Sequence, residues 1–160
     1  MGRLRSDQVG RAGEYYVAAE VTRRGGYAVT FSGNMPGIDI IASDVTHERK
    51  ITIQVKSKTS GDWQTSIKRG RAWAEDPGDG RYWVLVDLGP DRPRYFVVPA
   101  WWIENDIYIA HQDYLARHGG ERAVNPDSTH HRITTKRVAV WEDRWDVLGI
   151  LLDESEPDDD

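Results

Sequence analysis

Four polar side chains early in the chain stand where apolar ones belong. Asp39 is enclosed by Ile38, Ile40, Ile41 and Ala42 in GIDIIA, and aspartate is depleted in strands. An unpaired carboxylate buried there would cost on the order of several kcal/mol, so it calls for a cation, a metal ion or a set of donors. Gln54 and Lys56 alternate with Ile53 and Val55 in KITIQVKSK. With a side-chain period of two they share one face, about 6.6–6.8 Å apart. Glu14 falls on a helical stripe with Val17, Ala18 and Val21, at i+3, i+4 and i+7. A glutamate on a stripe that buries itself against a sheet needs a metal ion or a lysine. Each residue also has an ordinary explanation. Asp39 could cap its own turn, Glu14 could reach water from the border of its stripe, and Gln54 with Lys56 could form the outer face of an edge strand.

The elements that must position these residues follow from pattern and punctuation. Ser6 is expected to cap a helix that reaches about Arg24 and stops at Gly25 and Gly26. Tyr27–Ser32 reads as a strand, GNMPG as a turn, and Ile38–Ser43 and Ile51–Lys56 as two further strands. A short helix is expected near Ile67–Glu75, broken by DPGDG. Strands are expected at Arg81–Gly89 and Arg94–Pro99, and a helix formed by Ile107 that ends at Gly119 and Gly120. A strand over RITTKRVAV and a last short helix with Trp141, Trp145 and Leu148 on one stripe complete the chain. This order predicts an α/β fold: a mixed central sheet flanked by helices and opened by a helix.

An acidic helix residue, an aspartate in one strand and Gln-x-Lys in the next resemble the PD-(D/E)xK nuclease superfamily. GIDIIA followed by IQVKSK is most similar to the Mrr-type restriction endonucleases, and also to the archaeal Holliday junction resolvases. The likeness covers Glu14 to Lys58. Two departures stand out: Pro36 is displaced from the position directly before the aspartate, and Gln54 replaces the usual second acid, as it often does in the Mrr type.

The resemblance implies a restriction-endonuclease-like fold and a metal-dependent DNA endonuclease. Glu14, Asp39, Gln54 and Lys56 would be catalytic. Asp39, the Gln54 side-chain carbonyl, the Val55 backbone carbonyl and Glu14 would hold Mg²⁺, or Mn²⁺ in its place. Mg²⁺ keeps several waters, so one or two carboxylates suffice. Lys56 would orient or deprotonate the attacking water, or stabilise developing charge. Lys58, Lys68, Arg69 and Arg71 would contact DNA phosphates, with Trp63 and Trp73 available for stacking; such basic clusters are otherwise solvated faces. Cutting two strands takes two sites, so a homodimer or a partner protein fits by analogy.

THHRITTKR is a second basic run. Its histidines, His130 and His131, point opposite ways if extended and so chelate poorly; His111 and His118 read as surface residues. No nucleophile elbow, phosphate loop or dinucleotide fingerprint is present. The chain has no cysteine, which excludes disulfides and thiolate metal sites. The absence of an apolar leader or membrane-length segment suggests a cytoplasmic protein. The net charge of −5 is misleading: of 26 acidic residues, six lie in the final DESEPDDD, leaving 20 against 21 Lys and Arg. Residues 1–152 are expected to form one domain, and 153–160 a disordered acidic tail. The seven tryptophans are expected as core or interface anchors. A different class also fits: a DNA-binding or subunit-interaction module that kept the fold without catalysis, or a small defence component working with a partner.

Overall fold

The computed structural model describes residues 2–122 and 124–152; the acidic tail expected at 153–160 lies outside the described residues. The chain opens with α1 (Ser6–Arg23). It continues through β1 (Tyr27–Met35), β2 (Ile38–Ser43), β3 (Lys50–Lys58), β4 (Trp63–Ser66), β5 (Arg81–Asp87) and β6 (Arg94–Pro99). The last named elements are α2 (Ala100–Arg117), β7 (His130–Ile133) and α3 (Thr135–Val138). Five strands form one mixed sheet in the order β1-β2-β3-β5-β6, and β4 pairs with β7 in a separate ribbon. Among the described strands only β3 and β5 run parallel. Both faces of β5 are covered, which suits its unbroken Trp83–Val86 run.

Apolar side chains divide between the two faces. Val17 and Val21 of α1 pack with Ile40, Ile53, Val84, Trp145 and Leu148 on one face. Trp63, Trp83, Leu85, Phe96, Ile103, Ile107 and Ile133 fill the other, beneath α2 and the ribbon. Residues after the last turn run back to α1: the Leu152 N–H donates to the Arg24 carbonyl at 3.1 Å. A Cβ on Gly25 would lie 2.4 Å from Leu152 Cγ, and Gly25 has φ +94, so this junction is closed on both sides.

Several expected elements differ. Ser6 is the first helical residue rather than the cap; Arg5 precedes it and donates its N–H to Gln8 Oε1 at 2.9 Å. The helix expected over Ile67–Glu75 is one 3-10 turn, Ile67–Arg69. Beyond it the backbone bonds to α2 instead of to itself: Arg71 N–H to the Glu104 carbonyl at 3.0 Å, Trp73 N–H to Asn105 Oδ1 at 3.0 Å. Helix α2 starts at Ala100 rather than by Ile107, because Ala100, Ile103 and Ile107 already form its buried stripe. The strand expected through Val140 ends at Ile133, and Thr135–Val138 turns helical to bury Val138. The last expected helix is two 3-10 turns, Ala139–Trp141 and Trp145–Leu148. Its single stripe does not exist, since Trp141 packs on the α2 side and Trp145 with Leu148 on the α1 side.

Candidate active site

The site begins where two strands part. The β2–β3 ladder runs from Ser43 opposite Lys50 to Ile40 opposite Ile53 and stops there. Asp39 lies one residue beyond. Its Oδ2 accepts the Val55 N–H at 2.7 Å, so a side chain takes over where the neighbouring strand no longer supplies an acceptor. Within an extended strand the N–H and C=O of one residue point to the same side. The Val55 carbonyl therefore also faces the gap that β2 leaves. Asp39 Oδ1 remains free of any hydrogen bond among the described residues.

Helix α1 brings Glu14 to the same place. Gly13 makes this approach feasible: a Cβ there would meet Ser57 Oγ at 1.7 Å. Val17 and Val21 below it are fully buried. The Glu14 side chain is 20% exposed and pairs with Arg11 at 2.9 Å, while Arg11 also donates to the Phe31 carbonyl at 2.8 Å. Burial raises the Glu14 pKa above the usual carboxylate value, and the Asp39 charge adds to the rise; Arg11 opposes both. Two carboxylates that repel one another in the free protein form a place for a cation.

Lys56 lies on the other flank. Burial pulls its pKa down, the Arg69 charge lowers it further, and Asp39 opposes them. Its ammonium sits 6.0 Å from the Trp83 ring centre and makes no ion pair among the described residues. Asp39 is thus the shared electrostatic neighbour of Glu14 and Lys56. Gln54, 8% exposed, lines a cleft of about 240 Å³ with Gly37, Ile38, Thr52, Arg69 and Trp83. Among the described residues, no three His, Asp or Glu side chains cluster as a metal site; an oxygen set here must draw on an amide or a backbone carbonyl.

The four proposed phosphate contacts separate. Lys68, Arg69 and Arg71 are exposed. Arg69 reaches over the turn at Gly37, where a Cβ would lie 3.6 Å from its Nη1. Lys58 is drawn inward instead: its side chain is 9% exposed, donates to the Gly61 carbonyl at 2.6 Å and sits 4.3 Å from the Trp63 ring centre. Trp63 is not available for stacking, since it is 1% exposed and its Nε1 donates to the Val86 carbonyl. Trp73 donates its Nε1 to Glu104 at 2.8 Å, with Arg71 4.1 Å from its ring centre.

The fold, a mixed sheet flanked by helices and opened by a helix, has a likeness among solved structures. It matches the structure of a bacterial homing endonuclease, I-Ssp6803I, with a TM-score of 0.51 over 92% of each chain. Sequence identity is 14%, so the shared property is the fold. No family model and no curated protein sequence matches the chain.

Sequence reasoning missed Arg11, Gly13 and the Trp73–Glu104–Arg81 set that fixes the segment before β5. Glu104 accepts from Arg81 at 2.6 and 3.2 Å as well as from Trp73. Gly13 carried a readable signal, a glycine inside a helix directly before the anomalous glutamate. Arg11 carried none.

Proposed function

We infer that this protein is a divalent-metal-dependent DNA endonuclease of the PD-(D/E)xK type, with the Gln-x-Lys variant of the motif. The observation that supports this reading most is the parting of β2 from β3 at Asp39. There a free carboxylate oxygen and a backbone carbonyl face one gap, with the Asp39 charge repelling Glu14 and attracting Lys56. The donor set fits Mg²⁺ or Mn²⁺. Asp39, the Val55 carbonyl, the Gln54 amide oxygen and Glu14 would hold it, and the −2 charge of the carboxylates balances one such ion. When bound, the ion polarises a phosphoryl oxygen and acidifies water.

The remaining work falls to the chain's own residues. Lys56, biased toward the neutral amine by burial and by Arg69, orients the attacking water and takes its proton. Arg69 at the cleft and the exposed Lys68 next to it in the chain neutralise phosphates of the substrate. Glu14 holds the ion directly or through water. The I-Ssp6803I likeness supports DNA as the substrate class; roles in restriction, phage defence or repair are all compatible with it. Plasmid and branched DNA incubated with Mg²⁺ or Mn²⁺ should be cut by the wild type and by neither Asp39→Ala nor Lys56→Ala. Cutting that survives both substitutions removes the assignment.

A second reading is a DNA-binding or subunit-interaction module without catalysis, favoured by the amide at Gln54 and by the absence of a three-carboxylate cluster among the described residues. Mn²⁺ titration separates the two. The nuclease binds the ion more weakly as Asp39→Asn, whereas the module shows no metal dependence of stability or DNA affinity.

A further inference from the structure

The ribbon of β4 and β7 stands outside the main sheet and has a distinct chemistry. Trp63 pairs with Ile133, Gln64 with Arg132, Thr65 with His131 and Ser66 with His130. Trp63 and Ile133 are buried in the α2-side core. The alternate positions, Gln64, Ser66, His130 and Arg132, therefore form the outward face. The ribbon is held firmly from behind. Arg137 donates to the Arg132 carbonyl at 2.7 Å and is tied to Asp106, and Arg122 donates to the His130 carbonyl at 3.0 Å.

Charge on this face is one-sided. Residues 63–69 and 130–136 contain Lys68, Arg69, Arg132 and Lys136 and no Asp or Glu, in a chain that, without its final DESEPDDD, has 20 acidic residues against 21 Lys and Arg. The Arg132 side chain is 68% exposed, and its ion pair with Asp62 is loose at 3.9 Å. Pairing continues past Ser66, with the Ile67 N–H on the Thr129 carbonyl at 2.8 Å. The ribbon therefore leads straight into the turn that carries Arg69 to the cleft mouth. The major groove of B-DNA, about 12 Å wide, admits a two-stranded ribbon.

We propose that the β4–β7 ribbon enters the major groove of duplex DNA beside the cleft and reads base edges through Gln64, Ser66, His130 and Arg132, with Lys68 and Lys136 on the flanking phosphates. This deepens the nuclease reading and rests on it: the substrate becomes a duplex of preferred sequence. Arginine and glutamine suit guanine and adenine edges, since each offers two hydrogen-bonding groups in one plane. The phosphate contacts add affinity without sequence preference.

The test uses the full chain in EDTA, so that binding is read apart from cutting. A randomised duplex pool is selected on the wild type, and anisotropy compares the enriched duplex with a scrambled one. The wild type should enrich a motif. Arg132→Ala or Gln64→Ala should lower the preference about 5- to 150-fold, whereas Lys136→Ala should weaken both duplexes alike. The proposal is overturned if the wild type enriches nothing, or if both ribbon variants keep the full preference. A protein that selects a motif in EDTA yet never cuts in Mg²⁺ keeps the ribbon and loses the nuclease. Cutting that is indifferent to both ribbon variants does the reverse.

Discussion

Glu14 and Lys56 are both held against their preferred charge states. A carboxyl whose folded pKa is raised stabilises the fold below its ordinary value of 4.5, and loses that contribution as pH rises through the raised one. A lysine whose folded pKa is lowered stabilises the fold above 10.5, and loses that contribution as pH falls through the lowered one. Each group therefore burdens the metal-free protein wherever it is ionised. Glu14→Gln and Lys56→Met should each raise its melting temperature at pH 7 while abolishing cleavage. A fall in melting temperature for Lys56→Met would show that its burial costs nothing. Adding Mn²⁺ should raise the wild-type melting temperature and leave that of Asp39→Asn nearly unchanged, as linkage requires of a ligand bound by the folded state.

Helix α1 can place Glu14 only because Gly13 lets it lie directly on β3. Gly13→Ala puts a methyl group 1.7 Å from Ser57 Oγ and 2.9 Å from Ser57 Cβ. It should cost about 1–3 kcal/mol in denaturant titration, and Ser57→Gly should recover most of that as a coupled pair. Ser57 Oγ is buried and lacks a hydrogen-bond partner among the described residues, so Ser57→Ala alone should be neutral or slightly stabilising. The 70–80 segment is fastened by Trp73 to α2, and Trp73→Ala should speed amide exchange there while leaving β3 and β5 protected. This scale also marks where the sequence stops being informative. β1, β2, β3, β5, β6 and α1 could be read from their apolar periods and the neighbouring Gly25, Gly37 and Gly80; the four-residue β4, which pairs with the distant β7, could not. The segment after Ile67 could not, because its hydrogen bonds go to Glu104 and Asn105 on a helix more than thirty positions away. Asp39 and Lys56 stood out because each interrupts an apolar pattern. Lys58 looked identical to Lys56, and its packing on Trp63 together with its bonds to Gly61 and Asp87 removes it from the surface.

The molecule as a whole carries opposing fields. Six of its 26 carboxylates are gathered in the final DESEPDDD, while the ribbon and the turn beyond it carry cations alone. Affinity for duplex DNA should therefore fall steeply with salt, by about one power of concentration per phosphate neutralised, and Lys68→Ala should flatten that slope by about one. No helix among the described residues is long and apolar enough to cross a membrane.

The Leu152 contact with Arg24 and Gly25 sets an order for assembly. Residues 1–58 include every candidate for cleavage chemistry and leave the ribosome first. Yet the C-terminal end of the helix that carries Glu14 stays unclasped until residue 152 has been made. The seating of that helix is thus a late event in biosynthesis, and a chain shortened to residue 149 should fold loosely there while its strands still pair.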